Sequence, residues 1–174
     1  MTEKNSVKLD EKDITILSLL QEDSSRTIAN IAEEVGLGIS TTHNRKKALE
    51  EDGVIKGYHA ELDGDKLGRS TVAFILTTVR YRVPGQPEVL SQRKFCDDIK
   101  QHHLVQEVHV ISGEYDVLLK LRARDVEEVN DFVVDFLRQI PAVDRTLTMF
   151  VMEEFLSTLA IRGLAQSQTQ LEVE

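Results

Sequence analysis

The sequence predicts an α+β protein in which a small helical domain precedes a larger domain of alternating strands and helices. Three observations support this prediction. All six Phe residues lie at position 74 or later, so residues 1–57 have the aliphatic core typical of small helical modules. The first part of the chain repeats apolar residues at helical spacing, with glycines between the repeats. The second part alternates strand-like apolar runs with two amphipathic stretches.

Three short helices are predicted in the first part. Asp10 is the expected N-cap of the first helix, which is indicated by four apolar residues at near-helical spacing: Leu9, Ile14, Leu17 and Leu20. The second helix runs from about Thr27, its expected cap, to Val35. Gly36 lies where a left-handed C-cap is needed. The third helix runs from about Ile39 to Asp52 and is closed by Gly53.

Four strands and two helices are predicted in the second part. They are, in order, strand Ser70–Arg82, helix Glu88–Gln101, strands Leu104–Ile111 and Val117–Arg124, helix Val126–Ile140 and strand Arg145–Leu156. This order is the β-α-β-β-α-β arrangement of ferredoxin-like domains, in which both helices cover one face of the sheet. The first strand is apolar on both faces: Phe74 and Leu76 lie on one face, and Ile75 and Val79 lie on the other. The two helices cover only one of these faces. A second copy of the chain is therefore expected on the other face.

A polar, glycine-containing stretch marks the expected domain boundary. It begins at Glu61 and reads ELDGDKLGRS, with two glycines and two aspartates. We therefore predict a domain at residues 1–60, a linker at 61–69, a second domain at 70–156 and a C-terminal tail at 157–174.

Composition excludes several classes of protein. The single cysteine, Cys96, excludes a disulfide framework and a cysteine-based zinc finger, and it fits a reducing compartment. No apolar run approaches the roughly 18 residues of a membrane span, and the polar N-terminus does not resemble a signal peptide. A cytoplasmic protein without membrane contact is expected. The net charge of −9 argues against non-specific coating of nucleic acid, but it allows a local basic surface.

The third predicted helix has the chemistry of a DNA-reading element. It follows a helix and a glycine turn, as the second helix of a helix-turn-helix does. Its first half carries the candidate contacts to double-stranded DNA: Arg45, Asn44 and His43 for base edges, and Ser40, Thr41 and Lys47 for phosphates. The alternative is a solvated basic helix face, which the position directly after the glycine turn makes the weaker interpretation.

Several motifs resemble the Lrp/AsnC, or feast/famine, family of transcriptional regulators. They occur in family order: LDEKDITIL at 9–17, IAEEVGL at 31–37, LEEDGVI at 49–55 and SGEYD at 112–116. The resemblance spans about Leu9 to Met152. It implies a winged-helix-like helix-turn-helix followed by an amino-acid-sensing domain, and a homodimer that assembles to tetramers or octamers. It also implies a nucleoid-associated location.

The resemblance also implies an effector site. The candidate residues are the turn Ser112, Gly113, Glu114, Tyr115 and Asp116, with Thr146 and Thr148 on the last strand. A glycine leaves backbone N–H groups open to a ligand carboxylate, and an acidic side chain suits a ligand ammonium group. The alternative is a plain connecting turn in which Asp116 bonds to backbone.

The chain departs from the family pattern on the third helix. Gly38 and Ile39 replace the usual serine cap, and Thr42 and Lys46 stand where apolar residues are usual. Ala48 replaces a further basic residue.

Other functional classes have weaker support. His102, His103 and His109 lack the spacing of a metal site, so no metal and no cofactor are expected beyond the amino-acid effector. An enzyme would have to use His109, Tyr115 and Asp116, which include no activated nucleophile. The remaining alternative is a partner subunit that modulates a related regulator without reading DNA.

Overall fold

A computed structural model describes residues 7–80, 82 and 91–164. The described chain forms two compact units. One runs to Glu61 and takes in the segment from Ser157, and the other is Leu62–Leu156. Within the described ranges, no helix is both long and apolar enough to cross a membrane.

The first unit contains the three predicted helices: α1 (Glu11–Glu22), α2 (Ile28–Val35) and α3 (Ile39–Glu51). Asp10 begins α1 with a reciprocal capping box, because its side chain accepts from Asp13 N and Asp13 in turn accepts from Asp10 N. Thr27 caps α2 through its hydroxyl oxygen. Gly36 ends α2 at φ +71°, a left-handed conformation that favours glycine. The predicted caps are therefore confirmed.

The core that holds α3 is aliphatic apart from one threonine. Ile16 of α1 and Ile31 of α2 are fully buried, and Leu49 packs with them from α3. Thr42 is also fully buried, and its hydroxyl donates to the carbonyl of Gly38 at 3.2 Å. Gly38 offers no side-chain acceptor to cap α3, and the Thr42 hydroxyl does not replace one, because it donates to a carbonyl that already accepts from Thr42 N.

The C-terminal segment of the first unit bonds to α1. The Gln21 side chain accepts from Ile161 N at 2.7 Å and donates to Ile161 O at 3.3 Å. The part of the predicted C-terminal tail after residue 164 lies outside the described residues.

The second unit has the ferredoxin-like arrangement. Its elements are β1 (Thr71–Val79), α4 (Gln92–Ile99), β2 (Val105–Val110), β3 (Val117–Ala123), α5 (Val126–Asp131) and β4 (Val143–Phe150). All strand pairs are antiparallel, and the order across the sheet is β2-β3-β1-β4. The predicted fold class is confirmed.

Alternating residues separate the two faces of this sheet. Ile75 of β1 and Leu119 of β3 are fully buried in a core that includes Phe95 and Phe132 from the helical segments. The alternate set on β1, which includes Phe74 and Leu76, lies on the opposite face. On β4, the residues paired with Phe74 and Leu76 are Met149 and Leu147, with 42% and 41% of their surface exposed. This apolar face is open in the monomer.

Some predicted boundaries were wrong. β4 begins at Val143 and ends at Phe150, rather than spanning Arg145–Leu156, because the last bond to β1 is from Val151 N to Val72 O. β1 ends at Val79, earlier than predicted. α4 begins at Gln92, where Ser91 caps it, and the predicted start at Glu88 lies outside the described residues.

The helix predicted over Val126–Ile140 is divided into three conformations. The α-helical part ends at Asp131, a π-helical turn occupies Phe132–Phe136, and a 3-10 turn follows at Leu137–Gln139. The wider turn changes the spacing of the apolar residues while Phe132, Val133 and Leu137 stay buried.

Candidate functional site

The outward face of α3 carries the predicted DNA contacts. A rotation of about 100° per residue places Ser40, Asn44 and Lys47 together, opposite the buried Thr42 and Leu49. All three are exposed, as are Thr41 and His43 beside them. Within the described chain, the side chains of Ser40 and Asn44 make no hydrogen bond, so they are available to an external partner. Lys47 forms an exposed ion pair with Glu51 at 3.4 Å.

Arg45 differs from these neighbours because it contacts α1. Its Nη1 donates to Asp10 Oδ2 at 2.7 Å and to Asp13 Oδ1 at 2.8 Å. The hydrogen bond from Asp13 N, followed by the one from Arg45, lowers the pKa of Asp10. The Asp13 and Asp10 carboxylates raise the pKa of Arg45 above its already high value. Arg45 therefore braces α3 against the N-terminus of α1.

The turn between β2 and β3 depends on Gly113 and Asp116. Gly113 has φ +142°, which favours glycine. Asp116 Oδ2 accepts from Val79 N at 2.8 Å, and Asp116 N donates to Thr77 O at 3.0 Å. One carboxylate oxygen of Asp116 thus holds the end of β1.

Glu114 and Tyr115 lie beside a residue that the sequence did not single out. Arg145 Nη1 is 3.8 Å from Glu114 Oε1, and the Arg145 guanidinium carbon is 5.9 Å from the centre of the Tyr115 ring. Arg145 pairs with Thr78, on the sheet face opposite the helices. The sequence shows that a charged residue interrupts the alternating apolar residues of this strand. Only the pairing of β4 with β1 shows which residues lie beside it.

Thr146 and Thr148 lie on the other face of β4. They pair with Thr77 and Ile75, whose side chains point toward the helices. Arg138 Nη2 donates to Thr146 Oγ1 at 3.3 Å from the helical side. The structure therefore brings Glu114 and Tyr115 together with Arg145, and it separates the two threonines from them.

The three histidines that were considered as metal ligands, His102, His103 and His109, occupy two separate places. His102 stacks on His103 with ring centres 4.6 Å apart, and it also contacts Phe132 and Phe136. His109 Nε2 lies 2.8 Å from Glu107 Oε2 on β2. Among the described residues, no three His, Cys, Asp or Glu side chains are grouped so that they could hold a metal ion.

Comparison with known proteins identifies the family. The Lrp/AsnC ligand binding domain model matches residues 74–161, and a winged helix-turn-helix DNA-binding model matches residues 9–56. The chain belongs to the Lrp/AsnC family. This Lrp/AsnC protein is a DNA-binding transcriptional regulator, and its relatives are regulators rather than enzymes.

Similar proteins span nearly the whole chain. An uncharacterized HTH-type transcriptional regulator of Pyrococcus abyssi is 39% identical over 81% of this chain and 91% of its own length. The leucine-responsive regulatory protein of Haemophilus influenzae is 34% identical over 91% of this chain and 92% of its own. A transcriptional regulator from Neisseria meningitidis, solved as a complex with L-Met, superposes with a TM-score of 0.80. It is 28% identical and covers 88% of this chain and 96% of its own.

Proposed function

We propose that this Lrp/AsnC regulator reads specific DNA sequences with the outward face of α3 and responds to a free amino acid. The observation that carries the proposal is the exposed group of Ser40, Asn44 and Lys47, opposite a firmly buried face. A helix presented in this way can enter a major groove without rearranging its own packing. We expect the protein to act at the nucleoid.

Each candidate on α3 has a proposed role. Asn44 and His43 contact base edges, and Ser40, Thr41 and Lys47 contact phosphates. Arg45 remains a proposed base-edge contact, although its Nη1 already serves Asp10 and Asp13. It must share or leave these carboxylates to reach a base.

A second copy of the chain is the proposed cover for the open sheet face. Four partly buried or exposed apolar side chains occupy this face: Phe74, Leu76, Leu147 and Met149. Sheet-to-sheet pairing would bury them and would supply the two recognition helices that a palindromic operator needs. Tetramers or octamers would follow from contacts between such dimers.

The turn near β4 is the proposed effector site. Glu114 and Arg145 offer opposite charges for the ammonium and carboxylate groups of an amino acid, and Tyr115 offers an aromatic wall. Ser112 and Gly113 contribute backbone donors, whereas Thr146 and Thr148 reach a ligand only from the helical face. The L-Met complex of the Neisseria meningitidis regulator and the name of the leucine-responsive relative make L-methionine and L-leucine the first compounds to test.

Fluorescence anisotropy on the duplex upstream of the protein's own gene tests the proposal. The control is a scrambled duplex, and both are measured at two salt concentrations. We expect preferential binding that weakens steeply with salt, and an affinity change when the amino acid is added. If neither duplex binds and a genomic-fragment selection also recovers no site, the partner-subunit alternative replaces DNA reading. If no amino acid produces heat in calorimetry, the effector proposal fails.

A further inference from the structure

Lys46 on α3 is held by two neighbouring side chains. Its Nζ lies 2.6 Å from Glu50 Oε1, one helical turn later, and 4.7 Å from the centre of the Tyr58 ring. The Tyr58 hydroxyl donates to the same Glu50 oxygen at 2.8 Å. Each of the three groups therefore contacts the other two. The Lys46 ammonium group has the Glu50 carboxylate on one side and the Tyr58 ring on the other.

The neighbouring pair on the same helix provides an internal comparison. Lys47 and Glu51 also lie one turn apart, but their atoms are 3.4 Å apart and no aromatic ring covers them. The Lys47 side chain is 62% exposed, whereas the Lys46 side chain is 23% exposed. An exposed pair of this kind contributes little net stability. The Lys46 pair is the one that is shielded.

Protonation reinforces this arrangement at neutral pH. The hydrogen bond with Glu50 raises the pKa of Lys46. The hydrogen bonds from Lys46 and Tyr58 lower the pKa of Glu50. Burial raises the pKa of Tyr58, so its hydroxyl keeps the proton that it donates. Lys46 is therefore a cation, Glu50 an anion and Tyr58 a neutral phenol, which are the protonation states that these hydrogen bonds require.

The position of the three residues gives them a place in DNA recognition. His43, Lys46, Lys47 and Glu50 line one groove along α3, next to its outward face. The Glu50 carboxylate in this groove repels phosphate and already neutralises Lys46. Tyr58 belongs to the chain that follows α3 within the same unit.

We propose that Lys46, Glu50 and Tyr58 form a clamp that withholds the Lys46 cation from DNA and fixes the recognition helix to the chain that follows it. Tyr58 is a positioning residue that acts through Glu50. The inference rests on the proposed reading of DNA by α3, and it adds that the two adjacent lysines of this helix have different roles. Lys47 contributes to phosphate binding, and Lys46 does not.

The salt dependence of DNA binding separates the two lysines. Each phosphate neutralised contributes about 0.9 to the magnitude of the negative slope of log affinity against log salt. We expect Lys47→Met to reduce this magnitude by about one, and the double variant Lys46→Met/Glu50→Gln, which removes both charges of the pair, to leave it unchanged. Glu50→Gln alone releases Lys46, so it is expected to increase the magnitude by about one. A magnitude that falls as much for the double variant as for Lys47→Met would overturn the clamp.

The role of Tyr58 is tested with Tyr58→Phe, which keeps the ring over Lys46 and removes the hydroxyl. We expect specific affinity to fall by about three- to tenfold, because one hydrogen bond to a charged group is lost. The salt slope should stay at the wild-type value, because Lys46 remains paired with Glu50. Unchanged specific affinity would contradict the positioning role.

A measurement without DNA distinguishes failure of the clamp from failure of the proposed function. The urea midpoints of Tyr58→Phe, Glu50→Gln and the double variant form a double-mutant cycle on the full chain. Non-additive midpoints support the clamp even if the wild-type protein binds no duplex, in which case DNA reading is what fails. Additive midpoints overturn the clamp.

Discussion

The proposed recognition helix, α3, and the proposed effector turn, residues 112–116, hold their polar side chains in opposite ways. On α3, Ser40 and Asn44 are exposed and make no side-chain hydrogen bond within the described chain. At the turn, Glu114 pairs with Arg145, and Asp116 bonds to the backbone of β1. The α3 surface leaves these side chains without partners in the described chain, whereas the charged side chains of the turn already contact one another or the backbone.

This difference follows from how each site is built. A single helix presents a continuous face because its periodicity separates buried from exposed positions. The turn combines residues from two strand ends, so its charges meet one another when the sheet forms. At the proposed effector site, a ligand would have to displace the exposed contact between Glu114 and Arg145, whereas DNA at the proposed face of α3 would displace water and the Lys47–Glu51 pair.

The largest expected effects come from two adjacent residues of α3. Asn44→Ala should weaken binding to the best site by about 1–3 kcal/mol, because a base contact is lost. Its urea midpoint should stay unchanged, since Asn44 is exposed. Arg45→Ala should weaken binding at least as much and should also lower the urea midpoint, because the brace to Asp10 and Asp13 is removed.

Anisotropy and urea unfolding on the same preparations check this pair. If Asn44→Ala lowers the midpoint as Arg45→Ala does, the division between a reading residue and a bracing residue is wrong. If Arg45→Ala lowers the midpoint and leaves DNA affinity unchanged, Arg45 is a brace alone.

A stability effect of similar size is expected within the proposed effector turn. Asp116→Ala leaves the Val79 N–H without its acceptor and should cost about 1–3 kcal/mol in the free energy of unfolding. Asp116→Asn should recover most of this loss, since the amide oxygen still accepts. The matched control is Glu114→Gln, whose ion pair is long and exposed and should not measurably affect stability.

Chemical denaturation of the three variants tests these expectations. Equal stability of the Asp116→Ala variant and the wild type would show that the carboxylate does not hold β1. A ligand titration adds the complementary result, in which Glu114→Gln weakens amino-acid binding and Asp116→Asn does not.

The helical caps and the succession of strands and helices were predictable because they depend on local chemistry and on the order of residues along the chain. Asp10, Thr27 and Gly36 each occupy a position that only a few residue types suit. The π-helical turn at Phe132–Phe136 was not predictable in this way, since the apolar stripe continues through it without a break. Tertiary packing decides such a turn.

The partners of charged side chains were the other feature that the sequence did not show. Arg45 contacts residues more than thirty positions away, and Arg145 meets Glu114 across the sheet. Residue type alone indicates that each can bind an anion. Whether that anion is a carboxylate of the same chain depends on the register of strands and helices.

The smallest expected effect is a pH dependence in the second unit. Burial, and then the charge of His103, lowers the pKa of His102, which contacts Phe132 and Phe136. Because the folded pKa is below the unfolded one, the unfolded state binds the proton more readily. Stability is therefore fully present above the usual histidine pKa of about 6.5 and decreases as the pH falls through it.

Thermal unfolding at about pH 7.5 and about pH 5.5 measures this effect. Lowering the pH is expected to reduce the unfolding midpoint of the wild type more than that of His102→Gln, by a difference of less than about 4 °C. His102→Gln is a suitable variant because its amide oxygen can still accept from Leu104 N. If His102→Gln and the wild type respond alike, acid sensitivity arises elsewhere, and His102 contributes packing alone to the helical side of the second unit.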